Sequence, residues 1–420
     1  MKVLLIGNGG REHALAWKLA QSPRLTKLLC LPGNPGTRTL GENVDLDPMD
    51  FDRVEAFALK REVDLVVVGP EDPLAGGIVD RLRAAGLTVF GPGKAAARLE
   101  ADKWFAKELM RSQAVPTAEA KVFSDPDAAD AYVERHGAPL VVKAVGLAKG
   151  KGVTVCYREA DAYEAIDAAM RRHAFDEAGG RVVIEDMLTG RECSVLALVS
   201  GRSLYVMPPC QDHKAVDDGD TGPMTGGMGA YCPTPAVDDV LMRQIERDVF
   251  IPTLDGLARE GIEFSGVLYA GLMLTAAGPK VLEFNCRFGD PETQPLMMRL
   301  KSDLLEVLLA TAQGRLEEIE IEWDERPAVC VVAASGGYPG KYAKGHEITG
   351  LAEAAGVADT VVFHAGTRNY GEKILTDGGR VLGVTAMGAD MASARANAYA
   401  ALDQIHFEGM QARRDIAERL

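Results

Sequence analysis

The sequence predicts an α/β fold that opens with a doubly wound parallel sheet, and two observations carry this. Short apolar runs ending in Gly or Pro (KVLLIG, TKLLCL, DLVVVG, LTVFG) recur through roughly the first hundred residues, and helical stretches (REHALAWKLAQS, FDRVEAFALKRE, GGIVDRLRAAG) alternate with them. That rhythm builds parallel strands with helices on both faces, and ligands then sit beyond the carboxyl ends of the strands. The loops at those ends are GNGGREH, LPGNPGT, VGPEDPL and FGPGK.

GNGGREH puts Gly7 and Gly9 at the first two positions of a dinucleotide fingerprint, but the third, normally Gly or Ala, is Glu12. The second run ends in Pro32, Gly33 and Asn34, with no acid for a ribose diol, so nicotinamide binding is disfavoured. Two readings stay open: a phosphate seat at a helix N-terminus, with Arg11 adding positive charge, or simply a tight turn.

Lys94 to Ala114 reads as one long helix ending before Val115-Pro116. Beyond it the pattern changes, with strands near 118–123, 140–143, 153–156, 182–186 and 193–199 and helices near 126–136 and 159–173. VGLAKGKGV, Val145 to Val153, lies between two of these strands. Its glycines and lysines suit either a cationic cover over a polyphosphate or a solvated turn, and its spacing is not that of a Walker loop. DHKAVDDGDTGPMTGGMGAY, Asp212 to Tyr231, has little apolar content and reads as a long functional or partly mobile loop.

A helix is expected over 237–260, a hairpin over 264–285 and a helix over 295–313. A third unit from about 326 has strands near 328–334, 360–364 and 379–386 and a helix over 389–405. The hairpin ends in EFNCRFGDPETQ, where Glu283 and Asn285 share one face while Phe284 and Cys286 share the other. A carboxylate beside an amide oxygen suits a hard divalent cation such as Mg2+. A solvated hairpin end with a surface salt bridge fits the same residues.

At 420 residues, with 47% hydrophobic and 25% charged residues, the chain has a globular composition and room for about two to four domains. No apolar run is long enough to span a bilayer, and MKVLLIGNGG is broken by Gly and Asn before a signal-peptide core forms, so a cytoplasmic location is expected. Seven Cys without a CxxC pair fit a reducing compartment rather than a disulfide framework or a familiar zinc site, and HExxH is absent. A net charge of −15 argues against nucleic-acid binding, so a phosphorylated ligand has to be held locally.

With its elements in this order the chain resembles the ATP-grasp superfamily and, within it, the glycinamide ribonucleotide synthetases, or phosphoribosylamine-glycine ligases. RFGDPETQ, Arg287 to Gln294, looks like that family's signature octapeptide, and GNGGREHALAWKL, VGPEDPL, GLAKGKG, QDHK, TGGMGAY and FNCRFGDPETQPLM follow the family's order over essentially the whole length. The resemblance implies an N-terminal domain over 1–102, an ATP-grasp domain over 103–325 with a flap near 118–188, and a small α+β domain over 326–420. It implies ATP and Mg2+ (or Mn2+) as cofactors, glycine and 5-phosphoribosylamine as partners, no nucleic acid or membrane partner, and a monomer or weak homo-oligomer.

The family's roles carry over by position. Lys103 and Lys143 match the ATP-phosphate lysines, Lys149, Gly150, Lys151 and Gly152 the flap over the phosphates, Glu185 the hinge by the adenine, and Glu192 the ribose carboxylate. Glu283 and Asn285 match the metal ligands. Asp212 and Arg287 are similar to residues near the glycine site, and Lys143 joins them in the catalytic set. Gly9, Gly10, Arg11, Glu71, Gly289 and Asp290 are the further substrate-binding candidates. The chain departs from the family pattern at Val145, usually polar, at Lys149, usually small, and at Met224, usually Asn. Gly271 lies where many ATP-grasp enzymes carry a further metal-binding acid. Two other readings are an ATP-grasp ligase for a different carboxylate and amine, and a nucleotide-binding protein without turnover.

Overall fold

Val3, Leu4, Leu5 and Ile6 are all fully buried, as a strand covered on both faces requires. In the computed structural model, which describes residues 1–147 and 152–418, strand Lys2–Gly7 is the centre of a five-stranded parallel sheet. The order is Glu42–Asn43, Lys27–Pro32, Lys2–Gly7, Leu65–Val68, Val89–Phe90, so chain order reverses on either side of Lys2–Gly7. The loops after Gly7 and Val68, which carry Gly9 to Arg11 and Glu71, flank that switch point.

The helix expected over 94–114 is instead two, Lys94–Ala101 and Lys103–Ser112. Asp102 breaks it because an extended backbone there lets its carboxylate accept from the N–H groups of Trp104 and Phe105. The break puts Lys103 on the first turn of the second helix. A similar break divides the 295–313 stretch into Thr293–Arg299 and Leu304–Ala312, the second capped by Asp303.

Two antiparallel sheets follow. One has the order Ala120–Phe123, Val182–Asp186, Leu140–Ala144, Val153–Cys156, and the other Ser203–Val206, Arg191–Ser200, Ser265–Thr275, Gly278–Asn285. The last hairpin slips register between Gly271 and Leu272: Gly271 faces Glu283, but Leu272 faces Val281, leaving Leu282 as the extra residue of a bulge. Gly190, at φ +159°, stands against the Leu274 carbonyl, where a Cβ would come within 2.1 Å of the oxygen.

The 212–231 segment is not a loose loop. It forms the hairpin Ala215–Asp217 with Thr221–Met224, and then strand Gly229–Cys232. That strand joins the third sheet, whose order is Gln211–Asp212, Gly229–Cys232, Ala328–Ser335, Arg380–Met387, Thr360–His364, with Met410–Gln411 also on Ala328–Ser335. Residues before and after position 325 therefore share one sheet. Helix Thr293–Arg299 lies where the units meet, touching helix Gly10–Leu19 and strands Ala328–Ser335 and Arg380–Met387. All seven cysteines are buried and free, and among the described residues no helix is long and apolar enough to cross a membrane.

Buried histidines hold the first and third units together. The His364 N–H donates to His13 Nδ1 at 2.8 Å, and Asn34 Nδ2 donates to the His364 carbonyl at 2.8 Å. Burial lowers the pKa of His13 to about 3 and those of His364 and His213 to about 4. An unfolded chain protonates these rings near pH 6.5 and the folded chain does not, so their stabilisation is complete above that pH and is lost as pH falls toward 4. Asp212, raised to about 7 mainly by burial, works in the opposite direction and offsets one proton. The unfolding free energy is therefore expected to fall as pH drops from 6.5 to 5, with a slope of up to about 3 kcal/mol per pH unit, and the urea midpoint with it. A flat midpoint across that window contradicts charge-free burial of these rings.

Candidate active site

Just after the bulge at Leu282, Glu283 stands among Lys143 of the neighbouring sheet, Lys103 and Lys214, and Asn285 accepts from Arg287 at 3.3 Å. Lys143, on strand Leu140–Ala144, donates to the Leu282 carbonyl at 3.0 Å and so spans the gap between the two central sheets. Its ammonium also pairs with Glu185 Oε2 at 2.9 Å, while Lys107 approaches Glu185 Oε1 at 3.2 Å. Lys103 donates to the Gly146 carbonyl at 3.1 Å, and its N–H to the Val145 carbonyl at 3.0 Å. Val145, itself buried, thus anchors the Lys103 helix to the 140–146 segment through its backbone. Gly152 accepts from the Ala144 N–H at 2.8 Å, and Lys149, Gly150 and Lys151 lie outside the described residues.

Glu185 is 4% exposed, its backbone is paired with Ala120 and Val141 on either side, and its carboxylate is committed to two lysines. It orients Lys143 and Lys107. Burial lowers the Lys107 pKa to about 8 despite that carboxylate. Glu185→Gln is expected to strand two ammonium groups in the interior, cost about 3 kcal/mol in chemical denaturation and raise KM for ATP. An unchanged denaturation midpoint contradicts this assignment.

The Lys214 ammonium stands 3.6 Å from both Glu192 Oε2 and Glu283 Oε1, joining the two acids without a close hydrogen bond to either. Burial opposes ionisation of Glu283, but Lys214, Lys143, Lys103 and Arg287 together hold its carboxyl below the usual value. Its side chain keeps 34% exposure. An ionised carboxylate with open coordination directions, sharing a face with the Asn285 amide, fits a hard cation. Gly271, opposite Glu283, adds no acid, although a Cβ there would lie 3.4 Å from Glu283 Cγ. Among the described residues, no three His, Cys, Asp or Glu side chains gather as a protein-only metal cage.

Arg287 ties this end of the site to the N-terminal unit. Its guanidinium pairs with Glu100 at 2.9 Å and Glu71 at 3.4 Å and donates to Asn285 Oδ1 at 3.3 Å, while its Nε is buried without a hydrogen-bond partner. The other oxygen of Glu100 accepts from the Cys286 N–H at 2.8 Å, so the octapeptide strand is held from behind. Asp212 is buried beside this region. Its raised pKa comes from burial, with Lys214 opposing and Glu292, Glu192 and Glu283 adding to the rise.

At the far end, Arg11 donates to the Phe288 carbonyl at 3.1 Å, pairs with Glu12 at 2.6 Å and approaches Glu71 at 3.9 Å. Glu12 accepts from the Gly9 N–H at 2.7 Å, and its side chain fills the space that a Cβ at Gly7 or Gly69 would need. A Cβ on Gly10 would come within 2.7 Å of Gln294 Nε2 and one on Gly289 within 2.4 Å of Glu292 Oε2, so a side chain at either position would displace the end of that neighbour. Asp290 accepts from Gln294 at 2.8 Å and pairs with Arg380 of the third unit at 3.4 Å.

Sequence reasoning missed Lys107, Glu100, Lys214, Glu292 and Arg380. Arg380 donates to the carbonyls of Gly226 and Asp290 at 2.8 and 2.6 Å, binding the TGGMG loop to the octapeptide. Glu292 accepts from Ser194 at 3.0 Å and Tyr269 at 2.9 Å. Lys214 and Glu292 stand inside the quoted motifs QDHK and RFGDPETQ, which was the available signal. Nothing local marks Glu100 or Arg380.

Two sheets facing across paired lysines, joined to a parallel-sheet unit and to a hairpin that carries Glu283 and Asn285 at its open end, define an ATP-grasp enzyme. The biotin carboxylase domain of Hydrogenobacter thermophilus 2-oxoglutarate carboxylase shares this fold at a TM-score of 0.74 and 15% identity, covering 98% of this chain and 91% of that one. Family models for the phosphoribosylglycinamide synthetase N domain, ATP-grasp (A) domain and C domain match residues 1–100, 101–293 and 328–419. The chain belongs to the phosphoribosylglycinamide synthetase family. It is 52% identical to a phosphoribosylamine-glycine ligase from a Nostoc species over 425 residues, covering 100% of both chains. A crystal structure of phosphoribosylamine-glycine ligase from Thermotoga maritima superposes at a TM-score of 0.87 with 35% identity, covering 99% of this chain and 100% of that one.

Proposed function

We propose a division of labour among these residues for the family's reaction, the ATP-dependent joining of glycine to 5-phosphoribosylamine that forms glycinamide ribonucleotide in purine biosynthesis. The chain is an ATP-dependent carbon-nitrogen ligase. The observation that carries the proposal is the Lys143 bridge to Leu282, which sets an ammonium charge beside Glu283 between two facing sheets.

A carboxylate acylates amines poorly, so glycine first takes the γ-phosphoryl group of ATP, giving glycyl phosphate and ADP. The amine of phosphoribosylamine then attacks the acyl carbon, and phosphate leaves. Such chemistry needs positioning and charge neutralisation more than covalent help from the protein. Lys103 and Lys143 hold the nucleotide phosphates, with the segment Lys149 to Gly152 as their cover. Glu192 takes the ribose hydroxyls, and the strand carrying Glu185 leads to the adenine. Glu283 and Asn285 hold Mg2+, or Mn2+, which when bound neutralises charge on the phosphoryl oxygens.

Asp212 receives the glycine ammonium, whose charge favours the ionised form of an acid otherwise poised near pH 7. Arg287, whose guanidinium bridges Glu71 and Glu100, receives the carboxylate. Gly9, Gly10, Arg11, Glu71, Gly289 and Asp290 form the phosphoribosylamine end, at the switch point of the parallel sheet. We assign the domains to 1–102, 103–325 and 326–420, the location to the cytoplasm, where free thiols persist, and the assembly to a monomer or weak homo-oligomer.

ADP release tests this directly. Sustained release is expected only when glycine and phosphoribosylamine are both present. Release with another carboxylate in place of glycine moves the chain to a different ligase reaction, and nucleotide binding without ADP release contradicts turnover.

A further inference from the structure

The hairpin Ala215–Asp217 with Thr221–Met224 begins directly after Lys214, and its outer residues 217–223 are all exposed. A lone two-stranded hairpin in water is marginally stable. This one is gripped from the far end of the chain. Arg413, the largest fully buried side chain, donates to the Ala215 carbonyl at 3.1 Å and to Asp220 Oδ1 at 2.8 Å, while Asp415 takes both its Nε and Nη2 at 2.7 Å. Asp415 also accepts from the Gly219 N–H at 2.8 Å, and Asp218 accepts from the Arg414 N–H at 2.8 Å. The grip is itself anchored, because Tyr399 on helix Met391–Leu402 donates to the Arg413 carbonyl at 2.9 Å.

The base of the hairpin leads into the site. Both the N–H and the hydroxyl of Thr225 donate to the Lys214 carbonyl at 2.8 Å, and Arg413 holds the next carbonyl, that of Ala215. The backbone of Lys214 is thus fixed from two sides while its ammonium stands between Glu192 and Glu283. We propose that Arg413 is a positioning residue for the nucleotide end of the site, acting through the hairpin on Lys214. A planar fork that reaches two carboxylates and a carbonyl at once is a task for arginine, not lysine. This inference rests on the assignment of Glu192 and Glu283 to the nucleotide site, which places the Lys214 ammonium between them there as well.

Steady-state kinetics of Arg413→Met, Arg413→Lys, Asp220→Asn and Lys214→Met test it, with Arg413→Met and Asp220→Asn also placed on the Lys214→Met background. Asp220 has φ +58°, which Asn tolerates, so Asp220→Asn loosens the grip without straining the turn or disturbing the Arg413–Asp415 pair. Arg413→Met is expected to lower kcat/KM for ATP about 30-fold, Asp220→Asn about 5-fold and Arg413→Lys by an intermediate factor, with KM for phosphoribosylamine unchanged. On the Lys214→Met background these losses should shrink to about 2-fold.

Losses that multiply in full with Lys214→Met overturn the proposal, as does a wild-type kcat/KM for ATP in Asp220→Asn or a folded Arg413→Met that loses only thermal stability. If Arg413→Met does not fold, Asp220→Asn decides. Wild-type kinetics in Lys214→Met sink the nucleotide-site assignment itself, whereas an impaired Lys214→Met beside unimpaired clamp variants sinks only the clamp.

Discussion

Glu283→Ala loses at least about 1,000-fold in kcat while the chain keeps its fold and thermal midpoint. Two features make the loss large and local. The carboxylate is held ionised by four cationic side chains, so removing it takes the acid from the Glu283–Asn285 face and leaves Lys214 with Asp212 and Glu192 as its remaining acidic neighbours. The alternating residues Phe284 and Cys286 point into the core at 2% and 1% exposure, so the strand stays anchored without Glu283. Glu283→Gln keeps the shape and loses the charge, and it should fall nearly as far. Near-normal kcat in Glu283→Ala at high Mg2+ contradicts the metal role.

Arg287→Met is expected to abolish turnover and also to destabilise the chain by about 3 to 5 kcal/mol. Burial opposes the charge on Arg287, but Glu100 and Glu71 outweigh it and raise its pKa well above the usual arginine value. Without the guanidinium, Glu100, whose side chain is 8% exposed, keeps the Cys286 N–H as its one hydrogen-bond partner among the described residues. Arg287→Lys separates the two functions. An ammonium group restores most of the charge balance, and with it stability, but it cannot pair with Glu100 and Glu71 and still present an N–H to a substrate carboxylate. Full activity in Arg287→Lys contradicts the proposed contact with glycine.

The parts of the site that were legible in the sequence are those whose geometry is local. Glu283 and Asn285 share a face because strands alternate, and Lys143 could be placed at a strand end because its apolar run and the glycines after it are contiguous. The loops at the ends of the parallel strands followed from chain rhythm alone. Contacts between distant segments were illegible: Glu100 meets the Cys286 N–H across 186 positions, and Arg380 meets the Asp290 carbonyl across 90. The break at Asp102 went unread because the one-helix reading of Lys94 to Ala114 did not consider a cap there, and the structure shows its carboxylate accepting from the Trp104 and Phe105 N–H groups. The 212–231 segment looked loose because its order comes from Arg413 and Asp415, nearly two hundred residues away, and not from apolar residues of its own. The Leu282 bulge is likewise a property of the pair of strands, set by the register against Gly271 and Leu272.

The most direct measurement is the position of the divalent cation in crystals of the chain grown with ADP and Mn2+, located by anomalous scattering. The account places the peak at about 2.2 Å from oxygens of both Glu283 and Asn285, with Lys143 and Lys103 on the nucleotide phosphates. A nucleotide-bound cation coordinated elsewhere, with the Glu283–Asn285 face turned to bulk water, contradicts it.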